Sequence, residues 1–158
     1  MTATAVNTAD LYDERGEELD SVALQFQSVG GHTHFSGPAR TIRCFEDNAL
    51  VKSTLSTPGG GAVLVVDGGG SLRSALMGDL IAASAVSNGW AGVVVNGAIR
   101  DRAAIAELPL GVKALGSNPR KSAKEGDGEV DVDVVIDGVR IRPGAMIWCD
   151  PDGILVHR

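Results

Sequence analysis

The chain has 158 residues, of which 44% are hydrophobic and only 4% aromatic, and its 20 acidic and 14 basic side chains give a formal net charge of -6. This length is typical of one domain, and a chain of this size buries about two thirds of the surface that its unfolded form exposes. The acidic balance excludes a broad positive surface of the kind that follows phosphates, so we expect no direct binding to nucleic acid.

Neither export nor a membrane span is indicated by the sequence. Residues 1–9 have no basic start and no apolar run, and no later apolar stretch approaches the roughly 20 residues that a membrane span requires. Cys44 and Cys149 are far apart and form no CxxC pair, which indicates neither a zinc site nor a disulfide framework. We therefore expect a cytoplasmic protein with two partly buried thiols.

Helical and strand patterns alternate as far as Leu115. Amphipathic or Ala-rich segments with capping residues predict helices, and continuous runs of Val, Ile and Leu predict strands buried on both faces. The predicted helices are residues 8–15, 46–55, 79–88 and 100–108, and the predicted strands are residues 41–45, 62–67, 90–97 and 111–115. The β-α-β order of these segments predicts parallel strands.

The last part of the chain has the pattern of antiparallel strands. Apolar residues alternate with acidic ones from Val130 to Ile136, and Asp137-Gly138 then turns the chain into a second apolar run, which predicts a hairpin. Two further strands are predicted on either side of the turn 150–153, and the polar segment 117–128 is predicted to be an exposed loop. The sequence therefore predicts one α/β domain over residues 1–158, with a mixed parallel and antiparallel sheet flanked by helices.

Three segments indicate where a ligand could bind. They are the glycine loop 68–70, the helix start at Gly78, and the pair Arg100-Asp101, all at carboxyl ends of predicted buried strands or at helix starts. Open α/β sheets bind ligands there, because unpaired amides and the positive end of a helix attract anions. Arg100 offers a planar fork that matches a carboxylate, and Asp101 is a hard oxygen ligand for a divalent cation.

Each of these features also has a structural explanation. An Arg-Asp pair that opens a helix commonly serves as a cap and a solvated ion pair, and a glycine turn after a strand is commonly only a connection. His32 and His34 form an HxH pair that could chelate a metal from one strand face, but no acid lies nearby in sequence, so a surface or interface position is expected. His157 has no assigned role.

Three phrases of the sequence resemble a known family. They are VDGGGSLRSALMGDLIAASAVSNGWAGVVVNGAIRD, the preceding FSGPARTIRCFEDN and the closing PGAMIWCDPDGILV. The chain is identified from them as a member of the family that joins regulator of ribonuclease activity A (RraA) to 4-hydroxy-4-methyl-2-oxoglutarate aldolase. The resemblance spans residues 8–156, and its most specific element is Gly78 followed by Arg100-Asp101.

The resemblance implies a fold, an assembly and a chemistry. It implies a swivelling β/β/α-like fold and ring-shaped homotrimers with pockets between subunits. In the enzymes of the family, 4-hydroxy-4-methyl-2-oxoglutarate is cleaved to pyruvate and oxaloacetate is decarboxylated, both through a pyruvate enolate. By resemblance, Asp101 would bind Mg²⁺ or Mn²⁺ largely through water, Arg100 would hold the small keto-acid substrate, and Gly78, Asp79, Leu80 and Ile81 would bind the pyruvyl carboxylate through their amides.

The sequence departs from the aldolase pattern at Ala104, where the enzymes carry Asp or Glu three residues after the metal-binding aspartate. Glu107, one turn further on, could replace that acid, because residues three apart are neighbours on a helix surface. Without it, proton transfer or positioning should weaken by about 10- to 1,000-fold. A second departure, Ala145 after Pro-Gly, is interpreted as structural.

Two alternatives to a lyase follow from the same sequence. The other branch of the family binds ribonuclease E and inhibits RNA processing without catalysis, and Ala104 and the phrase VDGGGSLR favour that branch. A methyltransferase is suggested by the strand that ends in Asp67 and three glycines, which resembles a loop that binds S-adenosylmethionine. That fold needs several further βα units, and too few residues follow the loop to provide them.

Overall fold

The buried apolar runs of the sequence form the strands of a mixed sheet. The computed structural model describes residues 5–158. Residues 1–4 lie outside the described residues. They belong to the predicted domain 1–158 and to the N-terminal stretch in which no secretory signal is predicted. The extent of the domain therefore stays a prediction at its N-terminal end.

The chain forms four helices and eleven strands within residues 5–158. The helices are α1 (Thr8–Arg15), α2 (Ala49–Leu55), α3 (Asp79–Ser87) and α4 (Arg102–Ala106). The strands are β1 (Leu19–Val22), β2 (Gln27–Ser28), β3 (Phe35–Arg43), β4 (Val63–Asp67), β5 (Gly92–Ile99), β6 (Gly111–Ser117), β7 (Glu129–Val130), β8 (Val134–Ile136), β9 (Val139–Ile141), β10 (Met146–Asp150) and β11 (Gly153–His157). A 3-10 turn, Gly16–Glu18, lies between α1 and β1.

The main sheet combines parallel and antiparallel strands, which confirms the predicted fold class. Its order is β1-β11-β10-β3-β4-β5-β6-β2, and β7 pairs with β3 outside this path. The neighbours from β3 to β6 are parallel, whereas the outer pairs are antiparallel. The predicted hairpin is present as β8 and β9, which pair with each other and flank Asp137-Gly138.

The parallel strands separate two apolar layers, because side chains on a strand point alternately to opposite faces. One layer joins β4, β5 and β6 to the helices and includes Leu55, Leu64, Ala82, Val93, Ile105 and Val112. The other joins the sheet to the hairpin and β10 and includes Val65, Val94, Val134, Ile141 and Ile147. Because α3 follows β4 and α4 follows β5 along the chain, both helices begin at the carboxyl edge of these parallel strands.

Two glycines make room for Phe35 in the second layer. Gly92 and Gly111 are paired in register across β5 and β6. A Cβ atom on either residue would lie less than 3.0 Å from the Phe35 ring. The ring of Phe35 therefore packs directly on the backbone of the sheet.

Several predicted element bounds were wrong. β3 begins at Phe35 and ends at Arg43 instead of spanning 41–45, because Gly37 and Pro38, which resemble a turn in sequence, pair with β10. α2 begins only at Ala49, after Glu46, which has a left-handed φ of 55°. The continuous strand expected between Val130 and Ile136 is divided by Asp131, whose φ is 58°.

The segment 117–128 is only partly the exposed loop that was predicted. Ser122 is buried, and its hydroxyl donates to the carbonyl of Ala75 at 2.7 Å and lies 2.8 Å from the Ser74 hydroxyl. The amide of Asn48 also donates to the carbonyl of Ala123 at 2.9 Å. The loop is thereby fixed against the carboxyl edge of the sheet.

Both cysteines are buried and unpaired, in agreement with the predicted absence of a disulfide. Burial raises the pKa of the Cys44 thiol to about 12, with smaller contributions from Asp47 and Asp67. Burial likewise raises the pKa of Cys149. Both thiols therefore stay protonated and act as small apolar groups. Across residues 5–158, no helix has the length and apolar character needed to cross a membrane.

Candidate functional site

The start of α3 presents backbone donors beside a carboxylate. The first helical hydrogen bond runs from the amide of Ala82 to the carbonyl of Gly78, so the amides of Leu80 and Ile81 precede the hydrogen-bonded ladder. The amide of Asp79 donates to Oδ2 of Asp101 at 3.0 Å. Gly78 is extended, with φ of -118°, and its lack of a side chain matters because a Cβ atom would lie 2.7 Å from that same Oδ2.

Asp101 occupies a strained position between β5 and α4. Its backbone is left-handed, with φ of 59° and ψ of 42°, a conformation that non-glycine residues rarely adopt. Its carbonyl accepts the first hydrogen bond of α4 from Ile105 at 2.9 Å, while its carboxylate reaches the start of α3. The chain reversal at Asp101 thus turns the side chain away from its own helix and toward Gly78.

Hydrogen bonds hold both the backbone and the side chain of Arg100. Its amide donates to the carbonyl of Met77 at 3.0 Å, which ties the end of β5 to the residue before Gly78. Its Nη1 donates to the carbonyl of Pro119 at 3.3 Å, at the edge of the loop 117–128. The guanidinium consequently keeps further donors for a ligand in the space between these segments.

One cavity of about 270 Å³ is lined by every residue to which the family resemblance gave a role. Those residues are Gly78, Asp79, Leu80, Ile81, Arg100 and Asp101. The rest of the lining comes from α2 and the residues that flank it, from the segment before α3, from α3 and from the loop 117–128, and comprises Asn48, Lys52, Ser56, Ala75, Ser84, Lys121 and Lys124. The predicted residues are brought together, while their roles in binding or catalysis stay predictions.

Sequence reasoning missed the lysines and the asparagine of this cavity. Lys124 donates from Nζ to Oδ1 of Asn48 at 3.4 Å, which links the loop 117–128 to the start of α2. Lys52, on α2, lines the same cavity, and so does Lys121. The signal in the sequence was the basic cluster in RKSAK, which was interpreted only as loop polarity.

The glycine loop 68–70 does not join the site, and the expectation that it would was wrong. The amides of Gly68 and Gly70 both donate to the carbonyl of Asn96 at 3.1 Å, and the amide of Gly69 donates to Asp67 Oδ1 at 3.0 Å. These donors are used within the turn, so they are not available to a ligand. The loop is a connection between β4 and the segment that leads to α3.

Neither Ala104 nor Glu107 lines the cavity. Ala104 is exposed on α4, and Glu107 is the exposed residue at the C-terminal cap of that helix. Glu107 donates its amide to the carbonyl of Ala104 at 3.2 Å. Within this one chain, Glu107 therefore does not supply to the cavity the acid that the aldolases carry at the position of Ala104.

The residues around Asp101 fit a hydrated divalent cation. Mg²⁺ is usually held by one or two carboxylates and keeps several water ligands. Asp101 is exposed, and Oδ2 is oriented by the amide of Asp79 while no hydrogen bond within the described chain occupies Oδ1. A carboxylate with one oriented and one free oxygen, in an open cavity, matches that requirement.

A second acidic group lies at the start of α2. Carboxylate oxygens of Asp47, Glu125 and Asp127 lie within 4.8 Å of one another, close enough to share a cation. Burial opposes ionisation of Asp47, but hydrogen bonds from the amides of Ala49, Glu125, Gly126 and Asp127 outweigh it and lower the pKa of that carboxyl. Asp47 therefore already serves to hold the loop 117–128.

The histidine pair is exposed, as the sequence indicated. His32 and His34 lie beside Trp90 and Trp148 at the opposite, amino edge of the parallel strands. Within residues 5–158, neither belongs to a group of three potential metal ligands. Both therefore lie outside the candidate site.

Comparison with known proteins agrees with this geometry. A solved protein described as S-adenosylmethionine: 2-dimethylmenaquinone methyltransferase from Geobacillus kaustophilus HTA426 is 50% identical, with a TM-score of 0.95 over 96% of this chain and 94% of that one. The RNA-processing inhibitor RraA from Thermus thermophilis is 49% identical, with a TM-score of 0.94 over 98% and 93% of the two chains.

A more distant relative has the same fold. Streptomyces coelicolor RraAS2, described as an unusual member of the RNase ES inhibitor RraA protein family, is 29% identical, with a TM-score of 0.78 over 96% of this chain and 79% of that one. The sequence model of the RraA-like family, described as Aldolase/RraA, matches residues 8–156. With nearly the whole chain matched and Gly78, Arg100 and Asp101 around one cavity, the protein belongs to the RraA-like (Aldolase/RraA) family.

Proposed function

We propose that this protein is a cytoplasmic lyase, dependent on Mg²⁺ or Mn²⁺, that releases pyruvate from small oxo acids. Its reactions are cleavage of 4-hydroxy-4-methyl-2-oxoglutarate and decarboxylation of oxaloacetate. The observation that carries the proposal is the contact between Asp79 and Asp101, which holds a carboxylate beside the backbone donors of α3 in the cavity that Arg100 also lines. A cation and an oxo acid need that combination of groups.

The side chains and amides have separate tasks. The amides of Leu80 and Ile81 donate to the carboxylate of the substrate, which the positive end of α3 also attracts. Arg100 binds and orients the oxo acid through the donors that its contact with Pro119 leaves free. Asp101 would hold the cation at its free oxygen. A cation bound there stabilises negative charge on the oxo oxygen of the substrate.

The two reactions make different demands on the protein. Oxaloacetate loses its carboxylate at C4 as CO₂, the electron pair of the broken C–C bond forms the enolate of pyruvate, and that enolate then takes a proton from solvent. Cleavage of 4-hydroxy-4-methyl-2-oxoglutarate forms the same enolate but requires a base to remove the proton of the 4-hydroxyl group. Since position 104 is alanine, we expect the decarboxylase activity to exceed the aldolase activity.

The proposal is tested by pyruvate release from both substrates with and without Mn²⁺ or Mg²⁺. Asp101→Ala and Arg100→Lys should each lower kcat/KM by about 100-fold or more. Asp152→Ala, which removes an exposed carboxylate in the turn between β10 and β11, should leave kcat/KM unchanged. Equal rates for the wild-type protein and Asp101→Ala would exclude the lyase.

A second candidate function is regulation of RNA processing without catalysis. It is favoured by Ala104 and by relatives of 49% and 29% identity that are described as an RNA-processing inhibitor and as a member of an RNase ES inhibitor family. The partner would be a ribonuclease E-type enzyme. Binding of the purified chain to such an enzyme, measured by surface plasmon resonance, tests this function, and retention of binding by Asp101→Ala would separate it from catalysis.

We also propose that the functional unit is a homotrimer. Leu80 is 82% exposed at the edge of the cavity, where a neighbouring subunit would cover it. Light scattering coupled to size-exclusion chromatography measures the mass directly. A monomeric mass at micromolar concentration would contradict the trimer without affecting the assignment of Arg100 and Asp101.

A further inference from the structure

Three of the four lysines of this chain line the candidate cavity. Lys52 lies on α2, and Lys121 and Lys124 lie on the loop 117–128. The fourth, Lys113, is 2% exposed within β6, where its Nζ contacts the Ser28 hydroxyl at 3.1 Å. With Arg100, the cavity carries four cationic side chains against the two carboxylates of Asp79 and Asp101, although the whole chain has a net charge of -6.

Two of these lysines, Lys52 and Lys124, also line a hollow that adjoins the cavity and does not include Arg100. On one side, the cavity shares Asn48, Lys52, Ser56 and Lys124 with an adjoining hollow of about 330 Å³ along α2. On another side it shares Arg100 and Asp101 with a second hollow of about 330 Å³ bounded by Asn118 and Pro119. The two hollows have no lining residue in common, so Lys52 and Arg100 lie toward different sides of the cavity.

Within the described part of the chain, the ammonium groups of these lysines have no acidic partner. None of the ion pairs formed within residues 5–158 includes Lys52, Lys121 or Lys124. The nearby hydroxyls of Ser53 and Ser56 donate to the carbonyls of Leu50 and Lys52 on their own helix. Lys52 and Lys124 are therefore the cationic donors available to a ligand in this part of the cavity.

We propose that Lys52 and Lys124 form a subsite for a second anionic group of the substrate, and that Lys52 determines the preference for oxo acids that carry one. This inference rests on the proposed function, because the oxo-acid end of the ligand is taken to lie at Arg100 and Asp101. A substrate held between the two sides of the cavity has one carboxylate at α3 and a terminal carboxylate at α2. Lys124 is fixed by Asn48, whereas Lys52 has no such partner and is the better residue to alter.

Two unreactive ligands measure how much the second anionic group contributes to affinity. 2-Oxoglutarate and 2-oxopentanoate have the same carbon chain and the same oxo-acid end, and differ only in a terminal carboxylate or methyl group. Calorimetric titration of the full chain with each ligand in the presence of Mn²⁺ gives the ratio of the two dissociation constants. We expect the wild-type protein to bind 2-oxoglutarate about 5- to 20-fold more tightly, as is usual for a partly solvated hydrogen bond to a charged group.

Variants of matched charge then assign the ratio to a residue. Lys52→Gln should bring the ratio close to one, Lys52→Arg should keep most of it, and Arg142→Gln, which removes an exposed charge elsewhere, should not change it. The ratio should also fall as salt rises from 0.05 to about 0.5 M, because the contact is screened. Equal affinities in the wild-type protein, no binding of 2-oxoglutarate, or a full ratio in Lys52→Gln/Lys124→Gln would each overturn the subsite.

The ratio of dissociation constants does not depend on turnover, so the subsite and the lyase can fail separately. A protein that shows the ratio and loses it in Lys52→Gln, but releases no pyruvate, would contradict the proposed lyase and support the subsite. A protein that releases pyruvate, but binds both ligands equally, would support the lyase and overturn the subsite.

Discussion

The amide of Asp79 donates to Oδ2 of Asp101 at 3.0 Å across 22 positions of sequence. This contact joins the start of α3 to the turn that precedes α4. It fixes the direction of the carboxylate in the cavity, and it depends on Gly78, the residue that leaves space for Oδ2.

Gly78→Ala should therefore disturb the site more than the fold. The new Cβ would lie 2.7 Å from Oδ2 of Asp101, so the carboxylate must move, whereas the extended backbone at Gly78 accepts alanine without strain. We expect kcat/KM for oxaloacetate to fall by about 100-fold while the melting temperature changes by only a few degrees. Ser87→Ala, at the far end of α3, serves as the control, and unchanged kcat/KM in Gly78→Ala would contradict the role of the contact.

Ala104→Glu should separate the two proposed reactions. Ala104 does not itself line the cavity, but the longer side chain of glutamate would extend from the first turn of α4, and we expect it to accept the proton of a 4-hydroxyl group. We expect kcat for cleavage of 4-hydroxy-4-methyl-2-oxoglutarate to rise by about tenfold or more and kcat for oxaloacetate to change less than threefold. Ala104→Gln, which has the same shape without the charge, is the control. Equal gains in both reactions would contradict a role for this acid in proton removal.

Gly111→Ala should destabilise the fold through Phe35. The added Cβ would overlap the ring, and the ring cannot move away because it also packs on Gly92. Overpacking of this kind costs about 1 to 3 kcal/mol, with more where backbone must shift, and can be measured by urea unfolding. Phe35→Leu in the same chain should recover part of the loss. An additive double variant would show that the ring is not the cause.

The stability of the protein should depend on the ionisation of Asp150. Burial opposes ionisation of this carboxyl, but hydrogen bonds from the hydroxyl and amide of Thr8, at 2.6 and 2.8 Å, and from the amides of Asp152 and Gly153 outweigh it and lower its pKa. A carboxyl with a lowered folded-state pKa contributes stability that is fully present above its unfolded pKa of about 3.9 and is lost as the pH falls through the folded pKa.

Asp150→Asn should consequently lower the melting temperature at pH 7, by an amount that corresponds to about 1 to 3 kcal/mol, and the difference from the wild-type protein should shrink below about pH 4. Differential scanning calorimetry between pH 3 and 7 measures this directly. Asp152→Asn, at an exposed position in the same turn, is the control. A constant difference over the whole pH range would contradict the assignment.

The sequence predicted those parts of the fold and the site that depend on local patterns. The run 62–67 and the Ala-rich segment after Gly78 indicated a buried strand and a helix close to their observed bounds. Arg100-Asp101 could be placed after a buried strand in the same way. The family resemblance then gave these residues their proposed roles.

Features that depend on long-range contacts could not be read from local patterns. Lys124 reaches the cavity because the loop 117–128 is held by Ser122 and by the carboxylate of Asp47, whereas Asn48 and Lys52 do so because α2 packs beside α3. The glycine loop 68–70 was misassigned because its donors are satisfied by Asn96, which follows on another strand. The break at Asp131 likewise reflects a left-handed residue that the alternation of apolar side chains concealed.

The left-handed conformation of Asp101 places stability and activity in opposition at one residue. Glycine would relieve the backbone of that position, since it adopts positive φ freely, but it would remove the carboxylate that faces α3. The substitution that relaxes the backbone would therefore also remove the proposed cation ligand and the contact with the amide of Asp79. An aspartate here keeps both the contact that joins the start of α3 to the turn before α4 and the proposed cation ligand, at the cost of a strained backbone.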